Sequence, residues 1–113
     1  MKTSRTAPCL QELNKRLIIE APSASTVDGG AELISWRPVS VVWATLRPTA
    51  AGERVTHDGQ SLHTTHEIWL RYRGDLTGAM RFRMGQRIFA IQAIRDPDER
   101  QRWLICHTDE RHA

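Results

Sequence analysis

Apolar and polar side chains alternate along most of this chain. In Ile68-Trp69-Leu70-Arg71-Tyr72, one face carries Ile68, Leu70 and Tyr72, and the other carries Glu67, Trp69 and Arg71. In Met80-Arg81-Phe82-Arg83-Met84 the alternation is complete, with arginine between every two apolar residues. Successive side chains of a strand point to opposite faces, so a period of two predicts half-buried strands. Gly85-Gln86 separates this run from Arg87-Ile88-Phe89-Ala90-Ile91-Gln92-Ala93-Ile94. A two-residue break containing Gly predicts a hairpin. Further strands are predicted at Val39–Leu46, ended by Pro48, at Thr64–Tyr72 and at Arg102–Cys106. Arg16–Glu20 and Glu32–Trp36 form a first pair around Asp28-Gly29-Gly30. Only Pro8–Leu17 has helical spacing, with Leu10, Leu13 and Leu17 on one face.

Three breaks divide these runs. Ala21–Gly30 is rich in small residues and predicts a loop or wide turn. Asp96-Pro97-Asp98-Glu99 predicts a tight polar turn. The stretch from Pro48 to Ser61 is polar except Val55. At roughly 14 residues it is long for a connection in a compact domain, and such loops are usually functional or disordered. The expected architecture is all-β, a small antiparallel barrel of six to seven strands, because closure removes exposed edges. A short N-terminal helix is an option, and one long mobile loop spans residues 49–63. Residues 1–9 are expected to form an arm, 10–108 the barrel domain and 109–113 a tail.

At 113 residues the chain fits one domain, which buries roughly 60–68% of its unfolded surface. No apolar run approaches the roughly 18 residues that span a bilayer. The start, Met1-Lys2-Thr3-Ser4-Arg5, has no apolar segment after it, which argues against a secretory signal. Net charge is +3, too small for a dedicated nucleic-acid binder. Of 16 basic residues only Lys2 and Lys15 are lysines, so 14 are arginine. Arginine is favoured in interfaces and at phosphates.

Candidate chemistry is sparse. His63 and His66 are three apart, which sends them to opposite faces of a strand and argues against zinc. Cys9 and Cys106 are too few for a disulfide framework, and Cys106 is expected to be a small buried apolar residue. No local spacing supplies a nucleophile with its base, nor a glycine-rich phosphate loop. No enzyme activity, metal or cofactor is expected. Trp36, Trp43, Trp69 and Trp103 suit core or interface burial. The alternative is a stacking platform for single-stranded nucleic acid, with Arg71, Arg81 and Arg83 supplying charge.

The order of these pieces resembles a known family. Thr65-His66-Glu67-Ile68-Trp69-Leu70-Arg71-Tyr72-Arg73 is followed by Met80-Arg81-Phe82, by Gly85-Gln86-Arg87-Ile88-Phe89-Ala90-Ile91 and by Asp96-Pro97-Asp98-Glu99-Arg100. Upstream stand Arg16–Ile19, the Asp28-Gly29-Gly30 turn, Trp36 and Trp43-Ala44-Thr45-Leu46-Arg47-Pro48. This pattern resembles the head–tail joining proteins of long-tailed bacteriophages, also called head-closure, head-completion or stopper proteins. The chain departs from it at Arg73-Gly74-Asp75-Leu76-Thr77, which lacks the usual proline, and within the long loop.

The resemblance implies a small barrel assembling into a ring of six or twelve copies in the particle neck. Such a ring lies between a portal-side adaptor and the tail-side terminator or tail proteins, without contact to a membrane. It closes the channel through which double-stranded DNA passes and offers the surface to which the tail attaches. The expected location is the virion, after assembly in the bacterial host cytoplasm. Gene transfer agents carry the same neck parts, and the arginine bias fits a GC-rich host. The candidate gating loop is Gly52, Glu53, Arg54, Val55, Thr56, His57, Asp58 and Gly59. The candidate ring or partner interface is Arg71, Arg81, Arg83, Trp69 and Trp103, since interfaces are enriched in tryptophan and arginine.

Overall fold

The structure is a computed structural model that describes residues 6–26, 29–50 and 52–112. A single 3-10 turn at Leu10–Glu12 is followed by β1 (Lys15–Thr26), β2 (Glu32–Pro48), β3 (Arg54–His57), β4 (Gln60–His63), β5 (His66–Arg71), β6 (Arg81–Met84), β7 (Arg87–Arg95) and β8 (Trp103–His112). Six of these close into an antiparallel barrel in the order β1-β2-β5-β8-β7-β6. The seam is the pairing of Ile18, Ile19 and Glu20 with Arg83, Phe82 and Arg81. Closure removes the edges that an open sheet of these strands would expose.

The predicted alternation fills the barrel. Leu17, Ile19, Ala44, Ile68, Leu70, Phe82, Phe89, Ile91, Leu104 and Cys106 form the buried core, with Met80 and Met84 packed against it. The β6–β7 hairpin follows the sequence expectation to the residue. Gly85, at the first central position, has φ 63, a conformation glycine adopts without a Cβ clash.

Several boundaries differ from the sequence reading. Pro8–Leu17 is not a helix: Leu10 is 74% exposed, and Leu17 belongs to β1 and the core. The expected tail at 109–113 continues β8 as far as His112, because Arg87–Ile91 of β7 pair with it. Tyr72, expected on the inner face, lies beyond the end of β5 and is exposed.

The two N-terminal runs and the break between them are one long hairpin. β1 continues through Ala21–Thr26, and β2 runs unbroken from Glu32 through Arg37 and Pro38 to Pro48. A register shift between Ile19 and Glu20 sets Val39 outside the pairing. Such a bulge admits Pro38, whose missing N–H would break a regular ladder. Pro22 is tolerated because β6 pairs with β1 only as far as Glu20. Beyond that point the hairpin leaves the barrel as a two-stranded arm, and the molecule measures 54 × 29 × 27 Å. Val27 and Asp28 of the turn lie outside the described residues, as do Met1–Arg5 of the expected N-terminal arm.

Candidate functional site

The stretch predicted as a loop without regular structure contains a second hairpin. Arg54–His57 pair with Gln60–His63, and Asp58 (φ 51) and Gly59 (φ 77) make the turn. Positive φ at both central residues is the type I′ turn that Asp-Gly favours. Val55 and Leu62 face each other across the ribbon as its half-buried pair. The root is pegged to the barrel. The Thr49 N–H donates to Thr65 C=O at 2.9 Å, and the Thr64 N–H donates to Glu53 C=O at 3.1 Å. Glu53 also accepts the Ala50 N–H on Oε1 at 3.3 Å. On the far strand His63 Nδ1 lies 3.2 Å from Asp109 Oδ1 of β8.

The predicted loop residues therefore divide by position. Glu53 belongs to the root and Val55 to the inner side of the ribbon. Gly52, Arg54, Thr56, Asp58 and Gly59 are exposed, and Arg54 Nη1 donates to Ser61 C=O at 3.4 Å. His57 pairs with Gln60 in the ladder, and its side chain lies outside the described residues.

The predicted interface residues do not form one outward patch. Trp69 is fully buried, and its Nε1–H donates to Glu67 Oε1 at 3.2 Å. Trp103 is buried as well. Burial was one of the two environments expected for them, and here it is supplied within the subunit. The outer face of β2 is crossed by the N-terminal segment: Thr45 Oγ1 donates to Glu12 C=O, and Arg47 Nη1 donates to Thr6 C=O at 2.8 Å. Guanidinium groups stack on both indoles, Arg47 on Trp69 and Arg71 on Trp103, each 4.9 Å from the ring centre. Arg81 and Arg83 converge on Glu20, at 2.7 and 3.1 Å. Arg81 also lies 4.0 Å over Trp36 of the arm, so it ties arm to barrel.

His63 and His66 have separate surroundings. His66 lies edge-on to Phe89, with ring centres 5.2 Å apart, and its Nδ1 is 3.0 Å from Thr65 Oγ1. Burial pushes its pKa below the ordinary value, against the opposing pull of Glu110. Burial raises the Cys106 thiol to about 12, whereas Cys9 is exposed. Among the described residues no three His, Cys, Asp or Glu side chains gather as a metal site would require. No helix among them is long and apolar enough to cross a membrane.

The arm is the surface that the sequence reading missed. Directly opposed residues share a face, so Trp36 and Pro22, and Ile34 and Ala24, continue the face that carries Val41 and Ile18. Leu33, Ile34, Val39, Val41 and Trp43 are all exposed. The available signal was Ile34 and Trp36 at period two beside Val39, Val41 and Trp43, which the bulge shifts by one residue.

Two solved structures share this fold. One is a chain of the virion of a native gene transfer agent particle, with TM-score 0.61 and 24% identity, covering 88% of this chain and 96% of that one. The other is protein SF1141 from Shigella flexneri 2a, with TM-score 0.59 and 20% identity over 88% of this chain and 95% of that one. No curated protein matches the sequence. Residues 10–111 match the phage head completion proteins, a family of structural virion components. That match spans the barrel, the β3–β4 hairpin and the arm, and on it the chain belongs to the phage head completion protein family.

Proposed function

We propose that this chain is a head-closure (stopper) or connector subunit of the neck. In this reading six or twelve copies form a ring below the portal-side adaptor and present the surface to which the tail attaches. The observation that supports it best is the β3–β4 hairpin. It forms its own two-stranded sheet apart from the barrel sheet, is tied to the barrel at its root, and turns at Asp58-Gly59. A rigid barrel carrying a projecting ribbon suits a ring whose ribbons meet across a channel. Exposed Arg54 can touch passing duplex DNA, while the modest charge of the whole chain avoids a grip that would impede its exit. The particle can be a phage or a gene transfer agent.

Burial of Trp69 and Trp103 removes two of the four tryptophans from a single-stranded nucleic-acid platform, which needs accessible aromatic faces, and leaves Trp43 as the one well-exposed indole among the described residues. Replacing residues 54–63 by a short Gly-Ser linker in particle-producing cells tests the proposal. Loop length affects stability only logarithmically, so the barrel should fold. Particles should lose DNA to added nuclease or fail to join tails. Tailed, nuclease-resistant particles in normal yield would contradict a closing role for the hairpin.

A further inference from the structure

We propose that the β1–β2 arm binds a second copy of this chain, its Glu32-Leu33-Ile34 tip entering an apolar, arginine-rimmed groove on the neighbour. The inference deepens the ring reading above and rests on it. The groove, about 310 Å³, lies where β2 parts from β5. Leu13, Val41, Trp43 and Tyr72 line it, with Arg71 and Arg73 beside them.

Three observations select this occupant. First, both patches hold uncovered apolar groups: Ile34 and Leu33 are 60% and 56% exposed at the arm's tip, and Trp43, in the groove on the barrel wall, is 56% exposed. Second, tip and groove carry opposite charge. Residues 22–36 contain Asp28 and Glu32 and no lysine or arginine, whereas Lys15 and Arg16 pair with Ala44 and Trp43 beside the groove, and Arg71 and Arg73, the latter bound to Asp75, line it. No ion pair among the described residues uses Glu32, Arg16, Arg37 or Arg71. Third, the tip cannot reach its own groove. Arg73 Nη1 donates to Ser40 Oγ at 3.2 Å, which fixes the groove beside Ser40. Ile34 lies six residues further along the same continuous strand, roughly 20 Å away.

Tip and groove are thus different, complementary patches, which is what a head-to-tail contact requires. Complementary charge also sets the register of such a contact. β2 adds a second element. β5 pairs with it only from Ala44 onward, so its edge from Glu32 to Trp43 carries unpaired backbone groups that a neighbour can cover.

The test is oxidative cross-linking of the full chain carrying Ile34→Cys and Tyr72→Cys in a Cys9→Ser background, in purified form at high concentration and in assembled particles. A disulfide needs Cα atoms within roughly 7 Å, so an intramolecular bond is excluded. The expected product is a ladder of dimers, trimers and higher species. Ile34→Asp, at an exposed position, should leave circular dichroism unchanged and weaken self-association about tenfold or more. Dimers with no higher species would indicate reciprocal pairing and overturn the head-to-tail contact. No cross-link in particles whose neck density shows repeated copies of this chain would overturn the arm contact while leaving the ring intact. Neck density with a single copy would overturn the ring reading and this inference with it.

Discussion

Glu20 Oε1 lies 2.7 Å from Arg81 Nε across the seam where β1 meets β6. Glu20 is 5% exposed, and its second oxygen accepts a hydrogen bond from Arg83 Nε at 3.1 Å. The two residues are direct partners in the register, just where the arm departs. One carboxylate therefore orders both arginines of β6, and Arg81 in turn stacks on Trp36 at the arm's root. Removing the carboxylate leaves Arg81, largely covered, without its charged partner. Glu20→Gln should lower unfolding free energy by about 1.5–3 kcal/mol in urea titration. An unchanged midpoint would mean that solvent satisfies both guanidinium groups.

Phe82 and Phe89 face each other across the β6–β7 ladder, both fully buried. Phe82→Ala should destabilise the isolated chain by about 3–5 kcal/mol, through lost burial and the cavity left behind. Calorimetry or denaturant unfolding reads this directly. Arg54→Ala, at an exposed site in the projecting hairpin, should change stability by less than about 0.5 kcal/mol.

His66 should make stability depend on pH. Burial lowers its pKa in the folded chain below the unfolded value near 6.5. The unfolded chain then binds more protons between the two values, so stability rises with pH there. The contribution is whole above about pH 6.5 and is lost as pH falls toward the folded value. His66→Gln should flatten this slope in unfolding measured from pH 5 to 7.5. Equal slopes in both proteins would refute the assignment.

The cysteines should react unequally. The Cys106 thiol is buried in the core with its pKa raised to about 12, whereas Cys9 is exposed. Thiolate is the reactive form, so iodoacetamide should label Cys9 alone in the native chain and both residues after denaturation. Intact-mass spectrometry counts the adducts. Rapid native labelling of Cys106 would show that the barrel opens locally.

What was legible in the sequence was set by local pattern. The β6–β7 hairpin could be read to the residue because arginine alternates with apolar side chains up to a Gly-containing turn. The arm could not, because a ribbon with water on both faces needs no alternation, and Ser23, Ala24, Ser25 and Thr26 look like loop. The β3–β4 hairpin left a fainter trace: Asp58-Gly59 is a turn signal, but Val55 and Leu62 are the only apolar pair flanking it. Trp69 shows a different limit. Its alternation was right, yet the outer face of its strand is covered through contacts such as Arg47 to Thr6, 41 positions apart. Spacing along one strand carries no information about such a cover. The pairing of Arg81 and Arg83 with Glu20 is also long-range, and it adds a tie within the subunit to residues that the sequence placed on outward faces.

The proposed role has this chain close the neck as a ring with its β3–β4 hairpins turned toward the channel. Cryo-electron microscopy of purified particles, with the neck resolved well enough to trace strands, tests it most directly. The expected map shows repeated copies of this barrel in the neck, each with Asp58-Gly59 nearest the axis. Neck density without this barrel, or a ring whose hairpins point outward, would contradict it.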